Sequence, residues 1–365
     1  MKRCTFQFSL FFSFLAVFNY ANSSDCFDRR QFSHTLQVDT HLHIQPFNNE
    51  AMPTDKLISI LNKAGIKYAN AYGIGQTFAV KTDCKHYLDC PNTPIRPSWV
   101  NDFRNLKALT EHKHENIVTK LSMSFPDLAN PENILQRIMY IQNKYPNKFK
   151  WVGEVNLIKH ALLSNAHEPA TVDDINNWQP FMEYLRTHKL PLTLHADIGL
   201  NDSPFEYIHL MRHVLERYPD NQIVWAHMGL SMEQSKIDTK NHIGLMNSFL
   251  KNYPNLTLDI SWTILEENFF SRDRTRYVAL INKYPSRFIN GTDFLAQEDY
   301  GFEDYDHTLK TVSEIHKYIN DEAFRNIALG QNYFNLLDLQ QQTPGICNTK
   351  TNKASVNRGF ESSTK

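Results

Sequence analysis

The sequence predicts one (β/α)8 TIM barrel. Eight short β-like runs occupy 38–44, 68–74, 117–125, 151–157, 191–196, 222–227, 256–262 and 288–294, each apolar and bounded by turn-forming or polar residues. Between them the spacing turns helical. After Pro131, Ile134, Ile138 and Ile141 recur at i, i+4 and i+7; after Pro204, Ile208, Met211 and Leu215 recur at i, i+3 and i+7. Either spacing gathers the apolar residues on one helix face. No Gly/Ser-rich linker divides the body, so the strand–helix alternation runs through 24–340 as one unit. Such alternation implies a parallel sheet, and eight right-handed crossovers close it into a barrel.

The remaining stretches are read around that body. Residues 1–23 carry Lys2 and Arg3, then an apolar run from 6 to 18, then Ala21 and Ser23 as small residues before a cut. That is the pattern of a signal peptide, and it predicts a secreted or periplasmic chain; a membrane anchor is the alternative, for which the run is short. Export makes disulfides permissible. Beyond the signal stand Cys26, Cys84, Cys90 and Cys347, and of three possible pairings Cys84–Cys90 and Cys26–Cys347 are favoured, as a loop staple and a tie between the termini. The insertion 76–104 is too long for an ordinary βα connection and reads as a lid or wall over the pocket. Residues 341–365 read as a polar tail.

Composition narrows the function. The 365 residues are 41% hydrophobic and 21% charged, with a formal net charge of −1. No basic stripe offers an electrostatic footprint for nucleic acid, and beyond the first residues no segment is apolar enough to span a bilayer. A small-molecule substrate is the expectation, and nothing in the sequence fixes an oligomeric state. No GxSxG, P-loop or dinucleotide fingerprint is present, which argues against serine-hydrolase and nucleotide chemistry.

The chemistry-bearing residues recur at one place in the pattern. In Val38-Asp39-Thr40-His41-Leu42-His43, the two histidines are two apart and share a strand face. Buried imidazoles need a metal or hydrogen-bond partners. Glu154, His195, His227 and Asp293 each follow an apolar run at a predicted strand end. His195 and His227 are 32 residues apart, and His227 and Asp293 are 66 apart, one and two βα units. All six therefore fall near the C-terminal level of successive strands, where barrel active sites are built. Unrelated polar residues of the core are the alternative reading.

With Asp39-Thr40-His41-Leu42-His43, Gly153-Glu154, Leu194-His195, Ala226-His227 and Gly291-Thr292-Asp293, the chain resembles the amidohydrolase superfamily, in its amidohydrolase-related (amidohydrolase 2-like) branch. The segment 326–332 is similar to the helix that closes barrels in that branch. The resemblance spans roughly 36–338. It implies that His41, His43 and Asp293 bind one divalent ion, that His195 and His227 bind a second, and that Glu154 bridges them where many members carry a carbamylated lysine. In members with one metal, His227 assists catalysis instead. It further implies Asp293 and His227 as the catalytic pair and a divalent metal, one or two ions, with Zn²⁺ first by ligand type. The implied reaction is attack of a metal-activated water on an amide, lactone or other ester. Non-oxidative decarboxylation at the same metal site is a second possibility, and an inactive exported binding protein on the same barrel is a third.

Secondary features are read more openly. Arg272, Arg274 and Arg276 could meet a substrate anion or form a solvated loop. Lys120 and Trp262 could line the pocket, and Asn255-Leu256-Thr257 matches a glycosylation sequon.

Overall fold

The computed structural model describes residues 26–32, 34–47, 50–112 and 116–347. The predicted signal segment and residues 348–365 lie outside them.

The strands of the main sheet are β1 (Val38–His43), β2 (Tyr68–Tyr72), β3 (Val118–Met123), β4 (Phe149–Ile158), β5 (Leu192–Ala196), β6 (Ile223–Trp225), β7 (Leu256–Asp259), β8 (Phe288–Ile289) and β9 (Phe294–Leu295). Neighbours pair in parallel in the order β8-β7-β6-β5-β4-β3-β2-β1-β9. The two ends of that order are halves of one predicted strand, interrupted at 290–293. The first half pairs with β7 and the second with β1. Across the interruption Thr40 N donates to Asn290 O at 3.3 Å and Asp293 N to His41 O at 2.7 Å, so the ring closes as an (β/α)8 barrel. All eight predicted strand positions are occupied. The break in the eighth follows from Asp293, whose φ of 55° lies in the left-handed region and cannot continue a strand.

The strands are buried on both faces, which is why they read as nearly unbroken apolar runs. Helices supply the outer cover. On α3 (Ile134–Lys144) the three predicted isoleucines are all buried. On α5 (Ile208–Arg217) the buried face is Leu210, Met211, Val214 and Leu215, while Ile208 is only half-buried at the first turn; the expected stripe is displaced by part of a turn because the helix starts at that residue. The others in chain order are α1 (Thr54–Lys63), α2 (Val100–Glu111), α4 (Gln179–Thr187), α6 (Thr239–Asn252), α7 (Arg274–Lys283) and α8 (Phe302–Val312). No described helix is long and apolar enough to cross a membrane.

Three expectations are corrected. The segment 326–332 is not one helix. It joins α9 (Asp321–Ile327) to α10 (Gln331–Leu336) through Gly330 at φ +92°, a conformation that ends a helix and favours glycine. The insertion ends earlier than 104, because α2 begins at Val100. Its first part is a short antiparallel pair, Gln76–Phe78 with Ile95–Pro97, and the tip is held by the Cys84–Cys90 disulfide. Residues 341–347 belong to the folded body and not to a tail. Gln331 Oε1 accepts from Thr343 N at 3.0 Å and Thr343 Oγ1 at 3.1 Å, and Gly345–Ile346 pairs with Cys26–Phe27 beside the Cys26–Cys347 disulfide.

Two histidines are structural. His242 Nε2 donates to Met228 O at 3.1 Å, and its Nδ1 accepts from the Tyr277 hydroxyl at 2.9 Å. His316 Nδ1 donates to Thr35 O at 2.9 Å and its Nε2 accepts from Asn290 Nδ2 at 3.0 Å. Both are fully buried, and burial holds each pKa down at about 4. The unfolded chain therefore takes up these protons first as pH falls, so their contribution is intact above about 6.5 and is lost between there and about 4. Each is worth on the order of 2 kcal/mol over that window. Denaturant unfolding at pH 7 and pH 4.5 should show this loss, and His242→Gln should show a smaller one; an identical loss in the variant removes His242 from the explanation.

Candidate metal centre

At the C-terminal mouth of the barrel the structure brings all six sequence-predicted residues together. β1 supplies His41 and His43, with Leu42 between them packed into the core. β4 supplies Glu154, just after Gly153. That glycine has φ +114°, and a Cβ there would run into the backbone of Thr193 on β5, so only glycine lets the two strands approach at this level. His195 comes from β5, His227 from the turn after β6, and Asp293 from the break between β8 and β9. His227 and Asp293 both hold positive φ, 53° and 55°, conformations that cost non-glycine residues about 1–3 kcal/mol and cluster at functional sites.

Glu154 is the hub. Its Oε1 faces His195 Nδ1 at 2.6 Å and His227 Nε2 at 3.3 Å. Its Oε2 faces His41 Nε2 and His43 Nε2, each at 3.7 Å. Asp293 Oδ1 lies 3.4 Å from His41 Nε2 and 3.2 Å from His43 Nε2, and its Oδ2 is 3.9 Å from His227 Nε2. Asp293 is the more exposed of the two carboxylates, at 16% against 9%. His43, Glu154, His227 and Asp293 line a pocket of about 240 Å³, while His41 and His195 stand behind them.

Three of the four rings are anchored from behind. His41 Nδ1 donates to Asp259 Oδ2 at 2.8 Å, His195 Nε2 to Asp197 Oδ1 at 3.2 Å, and His227 Nδ1 to Ser261 O at 3.3 Å. Such donation fixes the tautomer and leaves the other nitrogen's lone pair aimed at the site. His41 Nε2 then has no hydrogen-bond partner although it is buried. An orphaned imidazole lone pair facing two carboxylates suits a divalent cation, since buried polar atoms otherwise find partners. Three overlapping groups have donor atoms close enough to share an ion: His41, His43 and Glu154; Glu154, His195 and His227; His41, His227 and Asp293.

The electrostatics agree. Burial works against the charge on Glu154, but the neighbouring His195 and Lys159 outweigh it and hold the carboxyl well below its usual range. Burial also opposes ionisation of Asp293, and the His41 charge and the His43 hydrogen bond bring it down to about 2. Both carboxylates are anionic at neutral pH.

A family model described as amidohydrolase matches residues 154–300, a span that holds Glu154, His195, His227 and Asp293. Over that span, less than half of the chain, the sequence is similar to this family. Among solved structures the chain resembles an amidohydrolase from Burkholderia multivorans with bound zinc, at 12% identity and TM-score 0.52, covering 83% of this chain and 99% of that one. A dihydroorotase from Campylobacter jejuni matches at 16% identity and TM-score 0.52, with 84% of each chain covered. A dihydroorotase from Saccharomyces cerevisiae matches at 9% and TM-score 0.50, covering 85% of this chain and 86% of that one. At these identities the likeness carries the barrel fold. No curated protein matches the chain by sequence.

Other sequence readings resolve differently. The three arginines are engaged within the fold: Arg274 with Glu266 at 2.5 and 2.6 Å, Arg276 with Asp273 at 2.6 Å, and Arg272 with the carbonyls of Ser235, Ile237 and Asn268. None lines the pocket. Neither does Lys120, half-buried in β3. Trp262 does line it, with its ring 5.0 Å from that of His227. Asn255 donates its Nδ2 to Tyr218 O and Asn221 O, the atom a glycan would need. The insertion contributes Gln76, His86, Tyr87 and Leu88 to the pocket wall, as a wall should. Asp259, Asp197 and Lys159 were not anticipated. Asp259 ends its strand in the structure but lies inside the longer run 256–262 in the sequence.

Proposed function

We propose that this chain is a metal-dependent hydrolase that cleaves an amide, lactone or other ester of a small molecule. The observation that supports this best is the split of Glu154, with one oxygen toward His41 and His43 and the other toward His195 and His227. On that reading His41, His43 and Asp293 would hold one divalent ion and His195 and His227 a second, with Glu154 available to both. Imidazole and carboxylate donors suit Zn²⁺ first, with Mn²⁺, Fe²⁺ or Co²⁺ as alternatives. Bound there, the metal would supply Lewis acidity and bring the pKa of water from 15.7 to roughly 7.

The protein's own groups do the rest. Asp293, anionic and facing the pocket, takes the proton of the attacking water as its oxygen bonds to the acyl carbon. It returns that proton to the departing nitrogen or oxygen as the C–N or C–O bond breaks. His227, whose Nδ1 donates to Ser261 O, is held with its Nε2 lone pair toward the centre, as a ligand to the second ion requires. Trp262 and the insertion wall exclude bulk water. The two disulfides support the expectation of an exported chain.

Turnover of an ester and amide panel in H₂¹⁸O tests the reaction class. Hydrolysis places one label in the product acid. Release of unlabelled carbon dioxide from an aromatic acid would move the chain to decarboxylation, and no turnover with metal bound would favour a binding protein.

A further inference from the structure

We propose that Lys159 is the specificity residue of this pocket and that the substrate carries a carboxylate, or an equivalent anion, on a small apolar body. The inference rests on the hydrolase reading of the site and adds the substrate class to it.

Lys159 directly follows β4, five residues beyond Glu154, and lines the same pocket as Glu154 and Asp293. It is half-buried by accessible surface. Among the described residues no carboxylate comes within ion-pair distance of its ammonium, and the phenol of Tyr87 is a close neighbour. Burial disfavours its charge, but Tyr87, Glu154, Asp293 and Asp197 act together to keep it cationic.

Those acids are already engaged. Asp197 accepts from His195 Nε2 and from His160 N at 2.7 Å. Glu154 and Asp293 face the imidazoles, and their charge is taken up when divalent ions are held. Lys159 is then a cation in a confined space without a counter-ion of its own, a state that proteins otherwise avoid. Glu233, the remaining acid on the wall, forms no ion pair with it among the described residues. An incoming anion supplies the missing partner.

The rest of the wall sets what carries that anion. Asn156 adds an amide to the same wall, while Phe47, Ile74, Met232 and Trp262 supply apolar and aromatic surface. A cavity of about 240 Å³ holds one ring or a short chain. The metal ligands and Lys159 line the same cavity and give two attachment points, so that a carboxylate at Lys159 presents a separate acyl carbon to Asp293. The substrate so described is a carboxylate-bearing lactone, ester or amide, with the free acid left unreacted.

The test is calorimetric binding of benzoate and of neutral benzamide to the zinc-loaded wild type, Lys159→Met and Lys159→Arg, with zinc content measured on each. The wild type should bind benzoate at least tenfold tighter than benzamide. That ratio should collapse in Lys159→Met and survive in Lys159→Arg, with zinc content equal in all three. A preference that persists in Lys159→Met puts the carboxylate on the metals and overturns the assignment, as does a wild type with no preference or no affinity for benzoate. Failure of the hydrolase reading would show differently, as absence of bound zinc whatever benzoate does.

Discussion

Asp293→Asn should fold as the native chain does and lose on the order of 10³-fold in kcat/KM on whichever ester the wild type cleaves, the range expected when a positioned proton carrier is removed. The fold should survive for local reasons. Asn has the same shape, tolerates the left-handed φ of 55° that this position holds, and keeps the backbone bond from position 293 to His41 O. What disappears is the anion beside His41 and His43 and, with it, the acceptor for the water's proton. Near-UV circular dichroism and steady-state kinetics on the same preparation separate the two. Activity within a few-fold of wild type would take Asp293 out of the mechanism.

Glu154→Gln should cost more metal than any other conservative change in the centre. Its carboxylate touches all four histidines, and the amide replaces one of its two acceptor oxygens with a donor that faces imidazole nitrogens. Asp259→Asn gives the scale. Asp259 meets the centre from the far side of His41, where it also accepts from Ser261 N and Oγ, and loss of such a partner costs 10–100-fold in metal affinity. Glu154→Gln should exceed that range in zinc competition against a chelator. The reverse order, with Asp259 the more damaging change, would mean that His41 orientation and not the Glu154 bridge organises the site.

The barrel was legible because its strands are buried on both faces. That burial forces apolar runs such as 151–157 and 222–227 into the sequence, and a polar residue that must reach the mouth stands out within a run or at its end. The six residues were therefore visible one by one. Lys159 was hidden by a boundary: β4 runs ten residues, to Ile158, and a strand read as ending at 157 puts the lysine in an ordinary loop. Asp259 was hidden by the opposite error. The seventh strand read as far as Trp262, whereas it ends at Asp259, so the strand-end carboxylate looked like an interior residue. The arginines of 272–276 misled because charge in a loop after a strand resembles an anion site, and only the folded chain shows Glu266 and Asp273 beside them. Short-range pattern carries strand and helix identity; which charges neutralise one another across the mouth is a long-range matter that spacing does not encode.

Metal stoichiometry tests the bridged centre most directly. Elemental analysis of the protein after saturation with Zn²⁺ and removal of excess should give two ions per chain, falling to one when His195 and His227 are both replaced by Ala. One ion or none in the wild-type chain contradicts a centre bridged by Glu154.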